Sequence, residues 1–240
     1  MYRSCFATRL GLLLLAGGLS IEAGSYMVKP VRIELSARQL RSTMQIQNLG
    51  EEPITIQAHI AAWNAKGVEE ILSDNDDILL NPPIFTVPVG HTQYLRLGLR
   101  HPPRGTTEAT YRLILEQVPG PPKPDFMGIN TLLKISVPIF VKPRIPAPQL
   151  AWMLERVSDQ EMRLAVENRG NAHVQIRKFA VTVSGSDAAS FVQDTATYVL
   201  PNARKEWLIH NEMLAAAGKL LLLGQTDNGD LREDLVPSRP

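Results

Sequence analysis

The chain has 240 residues, 44% hydrophobic and 20% charged, which is enough apolar material for a core and, at about 100–150 residues per domain, enough length for two domains. Lys plus Arg total 25 against 24 Asp plus Glu, a formal charge of +1, so no global field points to a nucleic-acid or membrane-surface partner. Eighteen prolines, sixteen glycines and 6% aromatics favour many short elements over a bundle of long helices.

The N-terminus reads as a signal peptide. Arg3 and Arg9 supply its positive end and Leu10 to Leu19 (LGLLLLAGGL) its apolar run, which is short for a bilayer span. Ala23 and Gly24 offer a cleavage region, with Ile21 and Glu22 poor company for it. Residues 1–24 are therefore expected to be removed, the alternative being an uncleaved anchor; no membrane insertion is expected after cleavage. The one cysteine, Cys5, lies in this leader, and losing Arg3, Arg9 and Glu22 leaves 23 basic and 23 acidic residues. A mature chain without cysteine excludes disulfides, thiol catalysis and thiolate metal sites. Each domain must then be large enough to hold itself by packing and hydrogen bonds.

From Met27 to Gly50 the text alternates, with Val31, Ile33 and Leu35 on one parity and Met44, Ile46 and Asn48 repeating the pattern after a polar turn, which predicts two strands. Ile54, Ile56, Ala58, Ile60 and Ala62 extend the period to Trp63, and residues 64–67 (NAKG) read as a turn. Residues 78–85 (ILLNPPIF) carry paired prolines that confine a strand there to an edge or a start. Thr92 to Arg100 and Ala109 to Val118 alternate again. After the proline-rich loop 119–130 comes Ile129 to Val141 (INTLLKISVPIFV), the most apolar stretch beyond the leader. Its odd positions, Ile129, Leu133, Ile135, Val137, Ile139 and Val141, share a face, with Lys134 and Ser136 on the other.

Residues 142–148 (KPRIPAP) read as a stiff, extended linker. This sets a first domain of 25–143 and a second of 144–240. Strands are expected over 150–157, 162–168, 173–184, 197–200, 206–210 and 219–226; helical spacing of Met213, Leu214 and Ala217 leaves 211–223 open. Short strands at this spacing, roughly seven per half, predict an all-β chain of two immunoglobulin-like sandwiches.

In this order the features resemble the PapD-like periplasmic chaperones of the chaperone-usher pilus pathway. The residues concerned are Val31 to Leu35 (VRIEL), Asn81 to Phe85 (NPPIF) before Tyr94 to Leu97 (YLRL), Glu116 to Pro119 (EQVP), Ile139 to Pro143 (IFVKP), Val166 to Asn171 (VENRGN) and Thr226 to Gly229 (TDNG). The resemblance implies a boomerang of two immunoglobulin-like domains that binds pilus subunits in the periplasm and hands them to an outer-membrane usher. The chaperone lends an edge strand to an incomplete subunit sandwich. Ladder bonds then give affinity without sequence demands, and alternate side chains fill successive pockets. The lent strand would be Ile129 to Val141, with Ile129, Leu133, Ile135 and Val137 entering the groove; from its residues alone the same run reads as an ordinary core strand.

The family holds the subunit's C-terminal carboxylate with a basic pair in the cleft. Arg32 matches its arginine, suited to bidentate carboxylate binding, although on its own it reads as a solvated strand residue. The position matching the lysine is Pro138, without charge or N–H, leaving Lys134, Arg112 and Arg96 as candidate substitutes. This departure and the lack of cysteine point to the archaic branch. Glu116, Lys142 and Asp227 match an interdomain charge network; as unrelated surface charges they would need no special account.

Chemistry beyond binding finds no support. His59, His91, His101, His173 and His210 lack metal-ligand spacing and read as surface or turn residues. No phosphate loop, dinucleotide fingerprint or nucleophile elbow appears, and the acidic run 74–77 lacks the glycine and distal glutamate of a calcium loop. No enzyme activity, metal, cofactor or nucleic-acid partner is expected. The alternative from another class is a structural β-sandwich pilus or surface subunit, which would be one incomplete domain behind a detachable donor extension.

Overall fold

The computed structural model describes residues 26–120, 131–186 and 190–238. Ile129 and the expected signal peptide lie outside these residues. In the first half the strands are β1 (Tyr26–Lys29), β2 (Ile33–Leu35), β3 (Arg41–Asn48), β4 (Ile54–Lys66), β5 (Glu69–Asp74), β6 (Ile78–Asn81), β7 (Ile84–Val87), β8 (Thr92–Leu99), β9 (Ala109–Val118) and β10 (Lys134–Val141). One sheet runs β1-β3-β8-β6; the other runs β2-β10-β9-β4-β5, with β7 also on β4. Alternation explains the facing: Met44 and Ile46 on β3, Leu95 and Leu97 on β8, Ile54, Ile56 and Ala58 on β4 and Leu113 and Leu115 on β9 are buried together between the sheets.

The second half holds β11 (Leu150–Arg156), β12 (Glu161–Asn168), β13 (Val174–Val183), β14 (Phe191–Val199), β15 (Arg204–His210), a short helix α1 (Glu212–Ala216), β16 (Leu220–Thr226) and β17 (Gly229–Leu235). Its sheets run β11-β12-β15 and β14-β13-β16-β17. Asn211 caps α1, its side chain accepting from Leu214 N–H at 3.1 Å. The span left open between helix and strand is thus one turn of helix followed by β16. Among the described residues no helix is long and apolar enough to cross a membrane.

Several strands depart from the sequence reading: the two expected over 27–50 are three, β1, β2 and β3, and β14 begins at Phe191 ahead of the expected 197–200. The expected turn at 64–67 is the end of β4, which pairs with β5 from Ala61↔Asp74 to Lys66↔Glu69. Every residue of β5 is exposed, so it has no buried face to impose a period. β17 is also unexpected: the sequence reading ends its strands at 219–226, but Thr226 leads through a tight turn at 227–228 into β17, paired with β16 from Thr226↔Gly229 to Leu220↔Leu235.

Both sandwiches use the same buried corner. At the end of β3, the Asn48 amide donates to Glu52 O (2.7 Å) and Val87 O (3.0 Å) and its oxygen accepts from Gly50 N–H (2.9 Å). At the end of β12, Asn168 donates to Ala172 O (2.7 Å) and Val199 O (2.9 Å) and accepts from Gly170 N–H (3.0 Å). Both asparagines are fully buried, and their side chains satisfy backbone groups the ladders leave over. Gly170 is required by a close approach, since a Cβ there would overlap Ala147 O in the linker. Asn171 fixes the linker further, accepting from Ala147 N–H (2.6 Å) and donating to Ile145 O (3.1 Å) and Thr106 O (2.8 Å).

The halves share apolar packing. Trp63 of β4 and Phe140 of β10 belong to the second core cluster, with Tyr198 packed against it. The Phe140 ring centroid lies 6.2 Å from that of Trp63, 5.2 Å from Tyr198 and 3.5 Å from His173, the last pair stacked. Phe140→Ala should cost about 3–5 kcal/mol, and because the lost contacts join the two cores, calorimetry should show one wild-type transition and two separated transitions in the variant.

Candidate functional site

β10 has unequal neighbours. One edge pairs antiparallel with β9 along its whole length, Lys134↔Glu116 to Val141↔Ala109. The other is met in parallel by β2 only at Ile139↔Ile33, Phe140↔Glu34 and Val141↔Leu35. Lys134 to Pro138 therefore have one strand neighbour, and the backbone groups on their other side have no ladder partner among the described residues. Along this open stretch Val137 is buried while Leu133 and Ile135 are half-buried against the first core. Lys134 and Ser136 are exposed on the opposite parity. An open edge that carries apolar side chains in one file can accept a strand and pack against it at once.

Where β10 passes under β2, charge joins the halves. Arg32 lies 2.9 Å from Asp227 Oδ2 and 3.1 Å from Glu34 Oε1, and Lys142 Nζ lies 2.6 Å from Glu34 Oε2. Asp227, in the β16–β17 turn, also accepts from Gln175 N–H at 2.8 Å. Its Oδ2 stands 3.6 Å from His173 Nε2, and His173 Nδ1 bonds to Glu108 Oε2 at 2.7 Å. The same Glu108 oxygen accepts from His173 N–H at 2.8 Å. Arg32–Asp227 and Glu108–His173 each cross from the first sandwich to the second, so this chain of charges forms an interdomain lock.

Lys142 and Asp227 thus meet, through Glu34 and Arg32. Glu116 does not join them: it pairs with Lys134 Nζ at 2.5 Å, eight residues along β9 from Glu108 and so about 26 Å away at strand rise. The carboxylate in the network is Glu108, just before β9, with a fully buried side chain. Nothing in its Thr-Thr-Glu-Ala-Thr context marks it in the sequence. His173, expected at a surface or turn, is 6% exposed; it follows the buried corner of Asn168, which places it under Phe140.

The three candidate substitutes at Pro138 separate clearly. Lys134 is engaged by Glu116 and largely exposed. Arg96 lies on β8 in the other sheet. Arg112 is the residue paired with Pro138 across the β9–β10 ladder. Its guanidinium carbon sits 3.6 Å above the Trp63 ring, and burial lowers its pKa from the ordinary value. Its nearest acid is Glu70 at 3.8 Å, and among the described residues the guanidinium makes no hydrogen bond. Arg32, by contrast, is engaged by two carboxylates. A cavity of about 360 Å³ opens here between the halves, lined among others by Glu70, Arg112, Tyr198, Lys205 and Trp207.

Comparison with known proteins gives concordant results. Residues 25–146 match the family described as pili and flagellar-assembly chaperone, PapD N-terminal domain. No curated protein sequence matches. Among solved structures, a chain of the CsuC–CsuE chaperone–tip adhesion subunit pre-assembly complex from archaic chaperone-usher Csu pili of Acinetobacter baumannii aligns with TM-score 0.66 and 18% identity, over 89% of this chain and 99% of that one. A chain of the Salmonella enterica SafA pilin–SafB chaperone complex aligns with TM-score 0.62 and 19% identity, over 90% and 98%. At these identities the likeness establishes the two-sandwich fold.

The lock should respond to pH from both sides. Burial lowers the His173 pKa, but the carboxylates of Asp227 and Glu108 on either side of the ring outweigh it and the net shift is upward. Its stabilisation is therefore full below the unfolded value of about 6.5 and is lost as pH rises through the higher folded value. Burial raises the Asp227 pKa, but His173, the Gln175 amide and Arg32 outweigh it and bring it down to about 2. That contribution is present above about 3.9 and is lost as pH falls toward 2. Urea unfolding across pH should show His173→Gln removing the alkaline decline and Asp227→Asn the acid one; unchanged profiles would dismiss the assignment.

Proposed function

The chain belongs to the PapD-like family of pili and flagellar-assembly chaperones, and from that premise we propose that it captures pilus subunits by lending them the open edge of β10. The observation that carries this reading is the five-residue edge from Lys134 to Pro138, bounded by β2 at one end and backed by Leu133, Ile135 and Val137. A subunit strand added there would gain ladder hydrogen bonds, while its own exposed core meets the aliphatic file. Ile129, the remaining expected donor residue, would lengthen that file if the strand continues upstream.

The carboxylate anchor follows from which cation has donors to give. Arg112 faces the position where the resemblance places a lysine, is held over the Trp63 ring, and among the described residues makes no hydrogen bond of its own. A guanidinium so placed offers a fork to a carboxylate and has little freedom to lose. Arg32, the anchor expected from the resemblance, would act first as part of the lock and meet the guest only if it left Asp227 or Glu34. The N-terminal sequence that reads as a signal peptide supports a periplasmic setting, and delivery to an outer-membrane usher follows from the family reading. Pro138 and the cysteine-free mature chain support the archaic branch. The rival reading, a structural subunit, is disfavoured by two sandwiches of seven or more strands each.

Co-expression with candidate pilus subunits and co-purification tests the reading. Leu133→Asp with Ile135→Asp, both at half-buried positions, should leave a folded protein that no longer retains a subunit; undiminished capture would sink strand lending. Arg112→Ala should weaken capture at least tenfold if a charge-assisted bond of about 1.5–3 kcal/mol is lost. Arg32→Ala should chiefly lower the unfolding midpoint.

A further inference from the structure

Glu70 occupies the ground between the two cleft cations. Its Oε2 accepts from the Trp63 indole N–H at 2.9 Å and lies 3.8 Å from Arg112. Its Oε1 bonds to Lys205 Nζ at 2.8 Å. The residue is held there by the β4–β5 hairpin, whose tip touches the second sandwich: Arg204 N–H donates to Gly67 O at 2.9 Å. Glu70 and Arg112 come from one sandwich and Lys205 and Tyr198 from the other, and all four line the same cavity; Trp63 lies behind it, under Arg112, and Arg112 is the ladder partner of Pro138 on the open edge.

We infer that Glu70 is an internal competitor for the carboxylate site: in the empty protein its side chain satisfies Lys205 and partly neutralises Arg112, and it thereby lowers the affinity for an incoming carboxylate. The inference rests on the reading of Arg112 as the anchor and adds a residue that sets its strength. Two cations and one acid leave the pocket one positive charge, which a single guest carboxylate balances. Without Glu70, the guest would meet two uncompensated cations. The indole bond explains why the competitor stays in place: Trp63 is 1% exposed, and a buried N–H requires an acceptor. The neighbouring acid in the lining, Glu206, is engaged elsewhere, 2.6 Å from Arg204 and 3.7 Å from Arg163. Lys205 pulls Glu70 below the ordinary carboxylate range against the opposing effect of burial, so the competing charge persists at neutral pH. A guest held against such competition binds less tightly and leaves more readily, as a carrier that must hand on its cargo requires.

The test titrates sodium acetate, with chloride adjusted to constant ionic strength, into isotope-labelled wild-type protein, Glu70→Gln and Arg112→Ala. The readout is the Trp63 indole N–H signal, one of three in the chain, with acetamide as neutral control. Glutamine keeps an acceptor for the indole and removes the charge. Glu70→Gln should bind acetate about three- to tenfold more tightly, a modest gain because the residue is partly exposed and screened. Unchanged or weaker binding in Glu70→Gln, with binding lost in Arg112→Ala, overturns the competitor and leaves the anchor standing. Undiminished acetate binding by folded Arg112→Ala, or an equal response to acetamide, overturns the anchor reading and the inference with it.

Discussion

The pairing of β10 governs the cleft. A strand inside a sheet has two ladders; this one has a complete ladder to β9 and a three-residue ladder to β2. The short parallel contact fixes the lower part of β10 and puts Phe140 into the second core. It also ends early enough to leave five residues open above it. If β2 were longer, the edge would be closed and the half-buried Leu133 and Ile135 would join Val137 as ordinary core. If β2 were absent, the strand would lose the support that holds Arg32 and Glu34 over the domain junction.

Electrostatics divides in two across the same strand. Below it, Arg32, Glu34, Lys142, Asp227, His173 and Glu108 neutralise one another in a nearly closed chain. Beside it, Arg112 and Lys205 share a single acid. The balanced overall charge therefore conceals one locked cluster and one under-compensated pocket. The buried end of the cluster, Glu108, His173 and Asp227, needs all its partners, since removing one would leave a desolvated charge, whereas the ion pairs of the pocket are more open to solvent.

Much of this was legible from periodicity. Strands with one buried face, such as β3, β8 and β9, alternate cleanly, and the apolar run ending in Val141 stood out as the strand to watch. β5 is not legible because none of its six residues is buried, so no face imposes a period on the sequence. The site divided along similar lines. Motif resemblance points to Lys142 and Asp227, which meet in the lock, but to Glu116 at the far end of β9; the acid that the lock uses, Glu108, sits just before β9 in a stretch without pattern. His173 carries no pattern of its own; its burial comes from Phe140 arriving from the other sandwich, a tertiary contact that no local window contains. Arg112 appeared only as one of three possible cations until the β9–β10 register set it opposite Pro138.

The aromatic junction has a further consequence. Trp63 carries Arg112 on its face and donates to Glu70, and Phe140 lies two residues from Pro138, so the rings that unite the cores are also the rings that position the edge and the pocket. The conformational entropy of fixing the angle between the sandwiches is therefore lost during folding, before any guest arrives. A strand added at the open edge would then need to order only itself and a few side chains, because the cleft is already preorganised.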